Sequence, residues 1–352
     1  MKSSHEKFIK GLPKAELHVH LEGTLTPSQK WALARRNGIK LAYESEAAIE
    51  AAQNYAGADA ASYLRNFLAF YFEGLQVLRT ERDFRDISFD YLHTCSQDNV
   101  RYAEISFDPQ AHTRREVPFG TVIEGLHAGI GDAREAFGVQ AQLIMCINRD
   151  LSLDSAMVML QEARPYLDRI AGLGLDSLEE GNPPVKFRSA YERAGAEGLR
   201  LTAHCDVDQQ DAVAHIWDCL DILKVDRIDH GINCVEDDRL VSALKSRDVC
   251  LTACPTWRPS DPEPRRVDRT RIMFDRGLKV TVNTDDPGLF KSGTLGTMLP
   301  PVAATGKFTE EELCKLMINA FDGAWLPRER RNFYIDEVRS YLATRKPTPG
   351  DD

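Results

Sequence analysis

Residues 12–27 read LPKAELHVHLEGTLTP, and the fold is decided on this stretch. Ala15–His20 (AELHVH) is a short, largely apolar segment of strand character. It ends on two histidines spaced two apart, so in a strand both side chains leave the same face. Thr26, Pro27 and Gln29 then supply an N-cap, a proline at the first helical position and a capping-box partner, and Gly38 stands where the helix should stop. This is one strand–helix unit. Seven more apolar segments ending in polar residues follow: Tyr102–Asp108, Val139–Asn148, Ile170–Asp176, Leu199–Cys205, Arg227–Gly231, Val249–Cys254 and Leu278–Asp285. Between them apolar residues recur at helical spacing. Near the far end Thr309 and Glu312 form another capping box, followed by Leu313, Leu316, Met317, Ala320, Phe321 and Ala324 on one face, a helix expected on the barrel exterior. Eight such units predict an α/β fold of the (β/α)8, TIM-barrel type, whose active sites form at the carboxyl ends of the strands.

Composition bounds the rest. The chain has 352 residues, 43% of them hydrophobic, enough for one barrel domain spanning 1–352, since such barrels run about 250 residues before insertions. An excess of 54 acidic over 44 basic residues gives a formal charge of −10, which disfavours a nucleic-acid partner because no basic field exists to displace counterions. No apolar run approaches the roughly 18 residues of a membrane span, and MKSSHEKFIK lacks the apolar core of a secretory signal, so no membrane partner and a cytoplasmic location are expected. Eight cysteines without a CxxC pair are expected to be reduced core thiols. The stretch Pro259–Arg271 is expected to be a loop, and the tail 346–352 disordered. The sequence leaves the oligomeric state open.

The chemistry rests on where histidines fall. His18 and His20 end the first strand, His204 the fifth and Asp285 the eighth. Neutral imidazoles with a carboxylate suit one Zn2+ per chain, with a coordination position open for water. A lone His-x-His is usually structural; its coincidence with His204 and with Asp285 in NTDDP at other strand ends is what makes it a metal site. His230, closing RIDHG, can hold the attacking water by hydrogen bond. His5, His93, His112, His127 and His215 fall in the tail, loops or helices and are read as structural or solvated. Zinc lowers the pKa of a bound water to about 7, so a neighbouring carboxylate can take its proton for attack on an electron-poor ring carbon. Asp286, beside Asp285, can orient the heterocycle. No lysine occurs in LGLDSLEEG, so a carbamylated-lysine bridge between two metals is disfavoured.

LPKAELHVHLEGTLTP, the histidine in LTAHCD, RIDHGI and VTVNTDDP together resemble, in order, the signature segments of the adenosine and adenine deaminase family of the amidohydrolase superfamily, from about Leu12 to Trp325. The resemblance implies a barrel with one zinc on His18, His20, His204 and Asp285, with Asp285 doubling as base, His230 orienting the nucleophile and Asp286 bonding the purine ring. It also implies a small amino-heterocycle substrate and release of ammonia. Glu22 stands where nucleoside deaminases tend to carry an aspartate that meets ribose, and Glu179 where they usually have glycine under the substrate; both lean toward a free base such as adenine. One position departs from the family. Three residues after its third zinc histidine the family carries a glutamate that protonates the ring nitrogen, and here that position is Val207. Valine transfers no proton, and general acid catalysis is worth roughly 100- to 10,000-fold. Asp206 and Asp208 flank the gap and are the candidate donors, so Val207→Glu is expected to raise turnover of adenine unless one of them already serves. CPTWRP, with Trp257, also departs from the family's small polar residues after CP. Three other readings stay open. One is a deaminase of another amino-heterocycle or N6-substituted adenine, another a non-catalytic nucleobase-binding homologue, and the third a different metal amidohydrolase such as a lactonase or amidase.

Overall fold

In the computed structural model, which describes residues 4–53, 59–256 and 265–344, eight parallel strands follow one another in chain order around a (β/α)8 barrel. They are β1 (Lys14–His20), β2 (Val100–Phe107), β3 (Gln140–Asn148), β4 (Ile170–Asp176), β5 (Arg200–Cys205), β6 (Arg227–His230), β7 (Cys250–Ala253) and β8 (Lys279–Val282). Each lies within a few residues of its expected segment. The last segment is the shortest relative to expectation, because β8 pairs with β7 only as far as Val282. Asp285 rejoins the sheet at a single parallel bridge to Val19. There the amide of His20 donates to the carbonyl of Asp285 (2.9 Å) and the amide of Asp285 to that of His18 (3.1 Å). Side chains sew the same seam lower down: Asn283 Oδ1 accepts from the amide of Leu17 (2.9 Å) and the Thr284 hydroxyl donates to Glu16 (2.8 Å).

The strands carry the core. Leu17, Val19, Ile105, Ile147, Leu173, Leu175, Ala203, Ile228, Leu251 and Val282 are all buried, as expected for parallel strands covered by helices. In β4 the pattern IAGLGLD needs its glycine, since a Cβ on Gly172 would lie 2.3 Å from the Trp325 ring. Both capping boxes form, at Thr26 before the helix Pro27–Arg36 and at Thr309 before Glu310–Gly323. The latter helix buries Leu313, Leu316, Met317, Ala320 and Phe321. The connection from β1 to β2 is the long one, and its helix Ala60–Gly74 lies over the barrel mouth, with Phe67 stacked on Phe290 (5.2 Å between centroids).

One expectation is corrected. The stretch Pro259–Arg271 is a loop in the sequence reading, but Arg265–Asp275 is a helix that buries Val267, Thr270 and Met273. Four arginines among its first seven residues masked the three-residue spacing of that inner face. The earlier part of that stretch, Trp257 and the tail 346–352 lie outside the described residues. All eight cysteines are buried and free. Among the described residues no helix is long and apolar enough to cross a membrane.

Candidate active site

At the carboxyl mouth of the barrel, His18, His20, His204 and Asp285 each offer a ligand atom, all within 4.8 Å of one another, and all four residues are buried. His18 Nε2 lies 3.4 Å and His20 Nε2 3.6 Å from Asp285 Oδ1, and His20 Nε2 lies 3.0 Å from His204 Nε2. Two ring nitrogens facing each other at that distance can share one proton or turn both lone pairs to a common cation. His18 Nε2 is buried with no hydrogen-bond partner, a cost that a metal bond removes. The donor set therefore fits a metal ion of the zinc type.

The backbone aims the flanking groups. His230 and Asp285 hold left-handed conformations, φ 57° and 64°, which cost a non-glycine residue of order 1 kcal/mol and cluster where function needs a fixed direction. His230 Nε2 is 3.3 Å from Asp206 Oδ1 and 3.9 Å from Asp285 Oδ2, so it stands between the two carboxylates. Burial would raise the Asp285 carboxyl, but the positive charge of the imidazoles around it, His230 first and then His18 and His20, outweighs it and holds it well below the usual carboxylate range. Burial and the charge of His18 push His230 well below the usual imidazole value. A carboxylate beside an imidazole sets a base next to a hydrogen-bonding group.

The remaining wall has two characters. Asp108 and Asp176 end β2 and β4, with the Tyr71 hydroxyl on Asp108 (2.9 Å) and Asn148 on Asp176 (3.0 Å). Burial and then mutual repulsion raise Asp176 well above the ordinary carboxyl range, and burial followed by the Glu22 charge raises Asp108. Opposite them Leu64, Phe67, Leu68 and Phe72 of the mouth helix form an apolar roof with Phe290. His20, His204, His230, Asp285 and Asp286 line the same pocket, so the acids, the histidines and the apolar roof share one space.

Of the expected site residues, the structure brings His20, His204, His230, Asp285, Asp286 and Asp206 to the pocket wall, with His18 just beneath. Asp208 turns away, accepting from Asn233 (2.9 Å) and pairing with Arg265 (3.1 Å). Val207 is packed into the apolar core. Glu22 and Glu179, expected at the substrate, sit one layer back. Glu22 accepts from the Asp108 amide (3.1 Å) and faces His112 Nε2 (2.8 Å). Glu179 accepts from the Asp206 amide (2.7 Å), lies 3.4 Å from Arg149 and bonds His215. His112 and His215 are accordingly structural. The sequence reading missed Asp108, Asp176 and Tyr71. The first two end apolar strands, the signal that found the histidines, and Tyr71 belongs to the aromatic run FLAFYF.

Several known proteins are similar to this chain over nearly its whole length. The adenosine deaminase family model matches residues 13–341. An adenine deaminase of Streptomyces coelicolor is 46% identical, covering 94% of this chain and 96% of that protein. An uncharacterized deaminase of Schizosaccharomyces pombe is 40% identical over 96% and 98%. Among solved structures, adenine deaminase from Arthrobacter aurescens superposes with a TM-score of 0.87 at 38% identity, over 94% of this chain and 99% of that one. An amidohydrolase from Burkholderia ambifaria with bound Zn gives 0.86 at 28%, over 98% and 95%. Matched by that family model over residues 13–341 and by relatives covered almost end to end, the chain belongs to the adenosine deaminase family.

Proposed function

We propose that this chain is a single-domain, zinc-dependent aminohydrolase that deaminates an adenine-like purine base and releases ammonia. The observation that carries the reading is the convergence of three histidines and Asp285 on one point, with His230 and Asp206 at its flank and an apolar roof above. His18, His20, His204 and Asp285 would hold one zinc, which would supply the Lewis acidity that makes an attacking water acidic at neutral pH. Asp285 accepts the water proton, and His230 holds the oxygen in line with the ring carbon that bears the amino group. Asp206, the acid that reaches the pocket beside His230, delivers a proton to the ring nitrogen in place of the residue missing at Val207. Asp286 bonds the ring edge, and the roof of Leu64, Phe67 and Phe72 covers its face and excludes bulk water. The relatives named adenine deaminase support the free base.

A second reading is favoured by that apolar roof: an adenine carrying an apolar substituent on its exocyclic nitrogen, or another planar amino-heterocycle. Purified protein is expected to contain about one equivalent of zinc and to release ammonia from adenine in preference to adenosine. A panel of adenine, adenosine, N6-substituted adenines and aminopterins, read by ammonia release, decides between the readings. Full zinc without ammonia from any of them would move the assignment to a nucleobase-binding protein. His20→Ala is expected to lose most of the zinc along with the activity.

A further inference from the structure

Building on the metal reading above, we propose that Asp229 is a positioning residue that fixes the ring orientation and tautomer of two metal-ligand histidines at once, His18 and His204. A histidine that binds a metal through Nε2 must carry its proton on Nδ1, and it keeps that tautomer when Nδ1–H has an acceptor. His204 Nδ1 lies 3.5 Å from Asp229 Oδ2. His18 Nδ1 lies 2.9 Å from the Thr252 hydroxyl, and that hydroxyl in turn donates to Asp229 Oδ1 at 2.9 Å. A hydroxyl that gives its one proton to a carboxylate presents only lone pairs to its other neighbour, so Thr252 can serve His18 only as acceptor. One carboxylate thus serves both rings, through Thr252 at His18 and, at 3.5 Å, as the charge facing a His204 Nδ1 that is buried with no hydrogen bond of its own. The four residues come from β5, β6, β7 and β1, which ties the ligand set together across half the barrel wall.

Asp229 is buried, and a lone carboxylate there would be costly. Its counter-charge comes from the same strand. Arg227, two residues earlier and therefore on the same face, places Nε 3.7 Å from Asp229 Oδ1 and lies 4.2 Å over the Trp325 ring. Its other face pairs with Glu104. Asp229 points up at the histidines from this buried ion pair, without itself touching the pocket.

The test is zinc competition on the full chain, stripped of metal and titrated with zinc chloride against a chromophoric chelator. Asp229→Asn is expected to weaken zinc binding about 10- to 100-fold while the midpoint of thermal unfolding of the metal-free protein stays close to wild type. Thr252→Val is expected to cost less, because it cuts the relay to His18 alone, and to add nothing measurable in the Asp229→Asn background. If Asp229→Asn fails to fold, Thr252→Val alone decides, with a several-fold loss of zinc affinity expected. Zinc affinity within about twofold of wild type in whichever variant folds, or fully additive losses in the double variant, would overturn the role. A wild type that takes up no zinc would sink the enzyme reading and this role with it, whereas a wild type that binds zinc beside an unaffected Asp229→Asn sinks this role alone.

Discussion

On the proposed function Asp285 faces two demands, as a zinc ligand beside His18 and His20 and as a base that its neighbours hold well below the usual carboxylate range. An amide in its place can neither take a proton nor balance a dication, so Asp285→Asn is expected to keep the fold and lose roughly 100- to 10,000-fold in kcat. His230→Ala is expected to cost comparably while zinc, measured by metal analysis, stays bound. The two acids beside Val207 separate cleanly. Asp206→Asn is expected to cut turnover severely, and Asp208→Asn to stay within about tenfold of wild type, because its carboxylate is engaged by Asn233 and Arg265 outside the pocket. The sequence argument that Val207→Glu would restore an acid is changed by packing. Val207 is 9% exposed and belongs to the apolar core, so a carboxylate there lacks a partner and is expected to lower the melting temperature rather than raise turnover. At this scale the cluster of His18, His20, His204 and Asp285 was legible because strand ends advertise such residues in one dimension. Glu22 and Glu179 were placed one layer too far forward, since their depth depends on Asp108, His112 and Arg149 arriving from other strands.

Elements set the pocket's lid. The helix Ala60–Gly74 contributes its aromatic face to the roof, and the helix Pro27–Arg36 backs it with Lys30, 3% exposed, its Nζ 4.5 Å from the Phe70 ring centre. Burial lowers Lys30 from 10.5 to about 8, against the pull of Asp286 and Glu73. Because the folded pKa is the lower one, the folded state binds fewer protons than the unfolded chain between pH 8 and 10.5, and stability rises with pH across that window. Lys30→Met is therefore expected to raise the unfolding free energy by ~1–3 kcal/mol at pH 7, with the gain fading as pH approaches 10.5; thermal melts at both pH values check it. The capped helices were legible because caps are local signals. The roof was not, since an aromatic run is also what an ordinary core helix shows, and only the fold of the β1–β2 connection decides which it is. The Arg265–Asp275 helix was hidden for the related reason that its charged face outnumbers its buried one.

Over the whole molecule, eight strand–helix units were countable from sequence, but how the ring closes was not. Closure happens beside the clustered histidines, through the Val19–Asp285 bridge and the two amides beside it. Chelation is thus expected to do more than empty a site. Amide hydrogen exchange should quicken in 17–20 and 283–285 on metal removal, while the β2–β3 pairing, remote from the seam, changes little. The same bridge bears on how the chain is made. The seam joins groups such as Leu17 and Asn283, 266 positions apart, so it cannot form until the last strand exists, and loop-closure entropy makes it among the slowest contacts to settle. A nascent chain therefore waits with His18 and His20 already synthesised and half their partners missing. On the zinc reading proposed above, capture of the metal belongs to the end of folding, when the first strand meets the last.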